Sequence, residues 1–273
     1  MEILVVFTCF NRKEKTRKCI TDLVRENRNC SFTFIAVDDS STDGTQEMLK
    51  GMNREYAIHL VAGDGNLFYS GGMRTGMDYA LSECGHDYDY LLMVNDDVEF
   101  LNHTIENIIS QSKEQNDAVI VGAIRDSKGN LSYSAVKYTK GIKYRKVTTQ
   151  EWKLEADTFN ANCVLIPYKA FLDVGSMDVH FVHSLGDFDY GLMLKRRGFK
   201  IHVSKDYVGI CENNPSNNSW TDKTLSRKER LKKKQSPKGA PAKQWFYYLK
   251  KNFGLITALK GTVTPYIRIL LGL

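Results

Sequence analysis

Short apolar runs alternate with amphipathic stretches over the first hundred residues. Ile3–Phe7 (ILVVF), Phe32–Val37 (FTFIAV), Ala57–Val61 and Leu91–Val94 (LLMV) are apolar enough to be strands, and the continuous runs suit strands covered on both faces. Between them, Lys13–Asn27 puts Cys19, Ile20, Leu23 and Val24 on one helical face. A second helix runs through Glu47, Met48 and Leu49, with Thr42 or Asp43 available as its cap, and a third passes through Met77, Ala80 and Leu81. This alternation predicts an α/β fold with a mainly parallel sheet and helices on both faces. Leu101–Lys113 reads as a helix, Ala118–Ala123 as a strand and Asp126–Asn130 as a turn. A polar, Tyr-rich stretch to about Asp157 suits exposed strands or a loop, and Phe159–Pro167 returns to the core. Lys169–Val174 is a short helix, Phe199–Val203 the last strand and Cys211–Trp220 a polar loop.

Polar residues gather where these strands end. Thr8–Arg12 follows the first strand, Asp38–Thr45 the second and Asn95-Asp96-Asp97 the fourth, and open α/β sheets bind ligands at that carboxyl edge. Adjacent carboxylates repel, and Mg²⁺ or Mn²⁺ relieves the repulsion through hard oxygen donors, with water and phosphate completing its shell. A solvated Asp-rich turn is the commoner outcome for such a triplet taken alone. Gly63–Arg74 is Gly-rich and precedes a helix, which could bring backbone N–H groups and Arg74 to phosphate. It is neither a Walker A loop nor a G-x-G-x-x-G turn, and such glycines more often serve only a tight turn. Asp187 opens a helix that closes on Lys195-Arg196-Arg197 with Gly198 as its stop, so by itself it reads as an N-cap.

Composition narrows the classes. The chain has 273 residues, 42% hydrophobic and 26% charged, which suits one large domain with a tail. Much of its net charge of +6 lies in Arg227–Lys243, where Glu229 is the one acid, so the body is nearly balanced and nucleic acid is not an expected partner. Six scattered cysteines without a C-x-x-C pair argue against zinc and against a disulfide framework. Met1–Cys9 lacks the features of a signal peptide, and no apolar run reaches ~18 residues, so a cytoplasmic location is expected. From about Thr221 a basic, mostly helical stretch passes a break at Ser236–Pro241. Trp245-Phe246-Tyr247-Tyr248 then leads into apolar residues interspersed with Lys250, Lys251, Lys260 and Arg268. That composition suits a membrane interface, and equally a helix packed on the domain or on a dimer partner.

Five blocks in order resemble the inverting family 2 glycosyltransferases of GT-A fold: FTCFNR (Phe7–Arg12), VDDSSTDGT (Val37–Thr45), GNLFYSGGMRTGM (Gly65–Met77), VNDDV (Val94–Val98) and GDFDYGLMLKRRG (Gly186–Gly198). The resemblance spans about Met1–Trp220 and implies a Rossmann-like, mixed but mainly parallel sheet. It implies a nucleotide-binding half over about residues 1–100, an acceptor half over about 101–220 and a basic helical tail over 221–273. It further implies that Thr8, Asn11 and Arg12 line the nucleotide pocket and that Asp39 accepts from the base. Asn66 and Arg74 would lie near the nucleotide and diphosphate, and Asp96 near the sugar or ribose. Asn95-Asp96-Asp97 matches the D-x-D-like motif, with Asp97 as the Mn²⁺ or Mg²⁺ ligand, and Asp187 matches the catalytic base. His183 and Asp189 are candidates for the acceptor side. Many relatives carry a His after the last strand. Ile210-Cys211-Glu212-Asn213 offers none, so Glu212 or Asn213 is expected to substitute, or the metal shell is completed differently.

The implied activity is metal-dependent, inverting transfer of a hexosyl-type group from a nucleotide-sugar, UDP- or dTDP-linked ahead of GDP-linked. The acceptor is a glycan or lipid-linked glycan in surface-polysaccharide synthesis, at the inner face of a membrane, with a homodimer left open. A sugar-nucleotide nucleotidyltransferase is the second enzyme class, though its usual Gly-rich loop with a Lys near the first strand is missing. A non-catalytic sugar- or polyanion-binding protein using the basic tail is the third reading.

Overall fold

Alternation along β1 (Glu2–Cys9) decides the layering. Ile3, Val5 and Phe7 enter one hydrophobic core and Leu4 and Val6 the other, all fully or almost fully buried. The computed structural model, which describes residues 1–85, 87–213 and 218–273, builds two cores on the two faces of one sheet in this way. Each fully buried aliphatic or aromatic side chain contributes about 1.5–3 kcal/mol, so the two-sided strands anchor the fold.

The first half follows the predicted alternation: α1 (Lys13–Glu26), β2 (Ser31–Asp38), α2 (Thr45–Met52), β3 (Ala57–Ala62), α3 (Phe68–Glu83), β4 (Tyr90–Val94), β5 (Glu99–Phe100) and α4 (Thr104–Glu114). The second half holds β6 (Val119–Arg125), β7 (Leu131–Tyr133), β8 (Ala135–Lys140), β9 (Lys143–Lys146), β10 (Thr158–Phe159), β11 (Cys163–Pro167), α5 (Tyr168–Val174), α6 (Gly186–Arg196) and β12 (Ile201–Ile210). The tail forms α7 (Arg227–Lys234), α8 (Ala242–Phe253) and α9 (Leu255–Leu271). The main sheet runs β3-β2-β1-β4-β11-β6-β12-β5, with β7 paired on β6. β3, β2, β1 and β4 are parallel, β11 runs antiparallel between β4 and β6, and β6 pairs parallel with β12. The Tyr-rich stretch forms β7, β8 and β9, and β8 is the centre of a small β10-β8-β9 sheet.

Several local readings change. The Gly-rich segment is not a loop up to Arg74: α3 begins at Phe68 and takes Gly71, Gly72 and Gly76 inside. Gly72 and Gly76 admit the helix onto the sheet, since a Cβ on Gly72 would collide with Thr8 and one on Gly76 would lie 2.7 Å from Val6 Cγ1 and 3.1 Å from Val37 Cγ2. The cap of α2 is Gly44, in the left-handed region at φ 82°, while Asp43 accepts from the Thr45 and Lys13 N–H groups beside it. The last strand, β12, extends seven residues beyond Val203 to reach the site edge at Ile210. Of the expected polar loop Cys211–Trp220, residues 214–217 lie outside the described residues.

Two glycine replacements test this packing with opposite signs. Gly76→Ala should cost about 1–3 kcal/mol, because Val6 and Val37 on the sheet must give way. Gly51→Ala, on α2 with nothing within 4 Å of a new Cβ, should stabilise by about 0.5–1 kcal/mol. Urea denaturation measures both, and a neutral Gly76→Ala would mean that α3 does not sit this close to β1.

Candidate active site

The carboxyl ends of β1, β2 and β4 emerge side by side, where strand order turns from β2 to β4 around β1. Asn11, just past β1, adopts φ 51° and ties two loops together: its N–H donates to Ser41 Oγ at 2.9 Å and its Oδ1 accepts from the Thr42 N–H at 2.7 Å. Asp39, just past β2, is nearly buried, and its carboxylate accepts from the N–H groups of Gly65 (2.8 Å), Leu67 (3.3 Å) and Phe68 (3.1 Å). It therefore shapes the loop that starts α3. Asn66 lies in that loop with its N–H on Asp64 Oδ1. Thr8, near the end of β1, is the surface on which Gly72 of α3 rests.

Asn95-Asp96-Asp97 follows β4 and meets Arg12. One guanidinium nitrogen, Nη1, lies 3.1 Å from Asp96 Oδ1 and 2.9 Å from Asp97 Oδ2. Asp96 is 3% exposed and its other oxygen accepts from Thr16 Oγ1 at 2.9 Å. Burial pushes its pKa up to about 6 against the opposing pull of Arg12 and Thr16. Its bonds thus run to Arg12 and to α1 rather than to an open pocket. Asp97 is more accessible. Its Oδ1 faces Cys211 Sγ at 3.6 Å, and burial beside this carboxylate pushes the Cys211 thiol up to about 12, so it stays protonated at neutral pH. Glu212, expected as a substitute ligand, instead accepts from the Ser127 N–H at 2.9 Å. Sequence reasoning missed Cys211; the position of Ile210 at the end of β12 is the signal that leads to it.

Asp187 opens α6 behind Leu185, a non-glycine residue held at φ 75°. Its Oδ1 accepts from its neighbour Phe188 N–H at 2.8 Å, and its Oδ2 from Ala161 N–H at 3.4 Å. Tyr69, Tyr138, Tyr144 and Tyr248 lie within electrostatic reach, and the structure gives Asp187 no ion pair among the described residues. Burial pushes its carboxyl up to about 6, outweighing the hydrogen bonds that favour the charged form. His183 packs edge-on to Phe68 and Tyr69, its Nδ1 is buried without a partner among the described residues, and burial with Lys238 nearby lowers its pKa to about 4. It is a neutral imidazole at physiological pH. Arg74 Nη1 donates to the Phe181 carbonyl at 3.1 Å, and Ser70 Oγ to the His183 carbonyl at 2.8 Å, so α3 holds the segment leading to Asp187.

Asp189, named with His183 for the acceptor side, is fully buried and anchors the tail instead. Lys251 Nζ lies 2.6 Å from its Oδ2, and Asn252 Nδ2 donates to its Oδ1 at 2.9 Å. Lys251 also reaches Asp178 Oδ2 at 2.7 Å, where Tyr247 OH donates at 2.8 Å. Burial works against the charge on Asp178, and the bonds from Lys251, His180 and Tyr247 outweigh it and hold its pKa low. The Tyr248 and Tyr138 hydroxyls meet at 2.5 Å. The tail helix α8 is therefore built onto α6 and β8, which sequence could not reveal because these partners lie some 60–110 residues apart.

The residues fit a divalent cation in a minimal form. No group of three His, Cys, Asp or Glu side chains clusters among the described residues. Asp97 supplies one partly exposed carboxylate, and Asn95 Oδ1 is buried with no hydrogen-bond partner among the described residues. Such sites hold Mg²⁺-type ions through one or two carboxylates and rely on substrate phosphates for the rest.

The family profile described as Glycosyl transferase family 2 matches residues 4–175, which includes the ends of β1, β2 and β4 and stops short of Asp187 and of the end of β12. No curated protein matches the chain in sequence. Its fold is similar to that of the mannosyltransferase PcManGT from Pyrobaculum calidifontis, solved in complex with GDP-Man and Mn²⁺. The TM-score is 0.60 at 11% identity, covering 99% of this chain and 73% of that one. It is also similar to S. aureus TarS 1-349, with a TM-score of 0.58 at 12% identity over 98% of this chain and 81% of that one. The same TarS fragment in complex with UDP-GlcNAc gives 0.57 at 11% identity, over 98% and 72%. At these identities the likeness is one of fold.

Lys251→Met should destabilise the protein by roughly 3 kcal/mol, because it leaves the buried Asp189 carboxylate without its cation. Adding Asp189→Asn should restore much of that loss. Denaturant midpoints of the single and double variants give the answer, and no recovery in the double variant would deny the pair its anchoring role.

Proposed function

Since the chain belongs to glycosyl transferase family 2, we propose that it transfers a sugar with inversion from a nucleotide-sugar to a hydroxyl of a glycan or lipid-linked glycan, in surface-polysaccharide synthesis. The observation that carries this reading is the convergence of Arg12, Asp39 and Asp97 at the ends of three adjacent parallel strands. Asp39 spends three acceptor sites on backbone N–H groups, and a carboxylate has about four, so one is left for an N–H of the nucleotide base. Asn11 and Thr8 shape the floor of that pocket, and Asn66 its rim.

In the reaction, the acceptor hydroxyl attacks the anomeric carbon from the face opposite the diphosphate. The new C–O bond forms as the bond to the diphosphate breaks, and the nucleoside diphosphate leaves with the electron pair. Asp187, ionised, takes the hydroxyl proton. Arg12 releases Asp97 and, with Arg74, faces the developing phosphate charge. Asp97 would hold a divalent cation, Mn²⁺ or Mg²⁺, which would supply further positive charge to the leaving group. The aromatic side chains Phe68, Tyr69 and Tyr144 offer apolar faces to sugar rings beside the base, and neutral His183 is a hydrogen-bonding group for the acceptor.

UDP- or dTDP-sugars remain the favoured donors. PcManGT is solved with GDP-Man and TarS with UDP-GlcNAc, so guanine donors belong in the same screen. A lipid-linked acceptor sets the work at the cytoplasmic face of a membrane, and the basic, aromatic tail is the segment suited to peripheral contact there. No helix among the described residues is long and apolar enough to cross one.

Asp187→Asn should reduce transfer by about 10²–10⁴-fold while leaving donor affinity intact, as a nucleotide thermal-shift series with and without Mn²⁺ would check. Loss of donor affinity would reassign Asp187, and an unchanged activity in cells would favour the non-catalytic reading. With the base at about 6, kcat/KM should fall as pH drops through that value, because protonated Asp187 cannot accept a proton. An acid limb near 4 would mean that the carboxylate is more solvated than its surroundings indicate.

A further inference from the structure

The largest unexplained surface is on α9. Ile256, Leu259, Val263, Ile267 and Leu270 repeat at three- and four-residue spacing and are each between 49% and 71% exposed. Leu255, Leu271 and Leu273 extend the patch at its ends with similar exposure. Folded chains rarely leave so continuous an apolar stripe in water without a use for it. The opposite face is occupied. Ala258 and Ile269 are buried, Gly261 lies against Leu249 of α8, and the Gly261 carbonyl accepts from Trp245 Nε1 at 3.0 Å. Gln235 beside α7 donates to Tyr266 OH at 2.8 Å. The stripe is therefore fixed outward by the packing of α7 and α8 beneath it.

Charge decides what covers it. Residues 221–273 carry thirteen Lys and Arg against two acids, whereas residues 1–220 carry 25 against 30. On α9, Lys260 and Arg268 are exposed one step round the helix from Leu259 and Ile267, forming a basic edge beside the apolar stripe. Arg227, Lys228 and Lys232 are exposed on α7, which packs along α9. A second copy of this chain is a poor occupant: an antiparallel two-fold pairing about Thr264 would set Lys260 of each copy beside Arg268 of the other, within two strongly basic tails. An anionic lipid surface matches both properties, since acyl chains accept the stripe and headgroups accept the bases.

We propose that α9 lies in the plane of an anionic bilayer, with Ile256, Leu259, Val263, Ile267 and Leu270 in the acyl boundary and Lys260 and Arg268 at the headgroups. This deepens the proposed peripheral role but draws on the tail's surface rather than on the chemistry at Asp187. It also sets a path from bilayer to base. α9 rests on α8, and α8 grips Asp189 on the same first turn of α6 as Asp187. A lipid-linked acceptor lying in the bilayer is thereby one helix away from the base.

The test is co-sedimentation of the full chain with vesicles of phosphatidylcholine alone, and of phosphatidylcholine with roughly one-third phosphatidylglycerol. The unaltered protein should pellet with the anionic vesicles and weakly with the neutral ones. Leu259→Glu with Val263→Glu and Ile267→Glu should abolish pelleting, and Lys260→Glu with Arg268→Glu should weaken it at least about tenfold. These residues are exposed, so both variants should keep the parent's melting temperature, nucleotide-induced shift and transfer to a soluble acceptor. Loss of those properties in the unaltered protein would concern the transferase reading and leave the vesicle result standing. Pelleting of the apolar variant at the parent's level would overturn the proposal. So would light scattering that shows a dimer converted to monomer by the same three changes, which would assign the stripe to a second copy.

Discussion

A carboxylate taken out of water requires a compensating charge or a shift in its own ionisation, and this constraint organises the cleft. Asp96 and Asp97 stand side by side at the end of a fully buried strand, and Arg12 bridges them from the loop after β1. Asp178 and Asp189 approach a second such point, and Lys251 bridges them from the tail. Each bridge costs desolvation that its geometry must offset, and its removal would strand a charge rather than merely delete a contact. Asp187 is treated differently. Two backbone N–H groups reach it and no cation among the described residues does, and its ionisation is displaced upward, as that of Asp96 is even beside Arg12. A base needs this state, because a carboxylate held tightly by a cation is a poor proton acceptor.

The same contrast explains what could be read from sequence. The sheet was legible because ILVVF, FTFIAV and LLMV carry their burial in their composition, and because polar residues cluster after each of them. The reversed strand β11 was not, since FNANCVLIP has the same apolar character whichever way it runs between β4 and β6. Gly72 reads as a turn residue because glycine marks turns more often than close helix–sheet contacts. Thr8 decides otherwise, and it comes from another element. Asp97 and Arg12 were identified by motif, but their mutual contact, and the turn of Asp96 toward Thr16, depend on where α1 starts relative to β4. Partners distant in sequence were invisible for this reason throughout.

Asp189 shows the consequence most plainly. In sequence it is the second carboxylate of GDFDYG and looks equivalent to Asp187. Two residues apart on the first turn of a helix, the pair cannot share a face. One looks toward Ala161 and the tyrosines, and the other toward α8, where it anchors the tail. The tail that meets Asp189 closes over Phe181, Leu185 and Phe188 to form a third small core. It is part of the packed body as much as an appendage.

The bridge at Arg12 bears on how the donor site can be both stable and receptive. With Arg12 in place, one of the two adjacent negative charges is balanced without any ligand, which eases their mutual repulsion at the strand end. An incoming diphosphate is a better partner for a guanidinium than an isolated carboxylate, since it offers several charged oxygens to a planar fork of donors. Arg12 is 45% exposed in its side chain and can turn, whereas Asp96 is buried and tied to Thr16 and cannot. Movement of Arg12 would uncover Asp97 and leave Asp96 in place. The two carboxylates, adjacent in sequence, thus divide into one held in the fold and one left more accessible beside it.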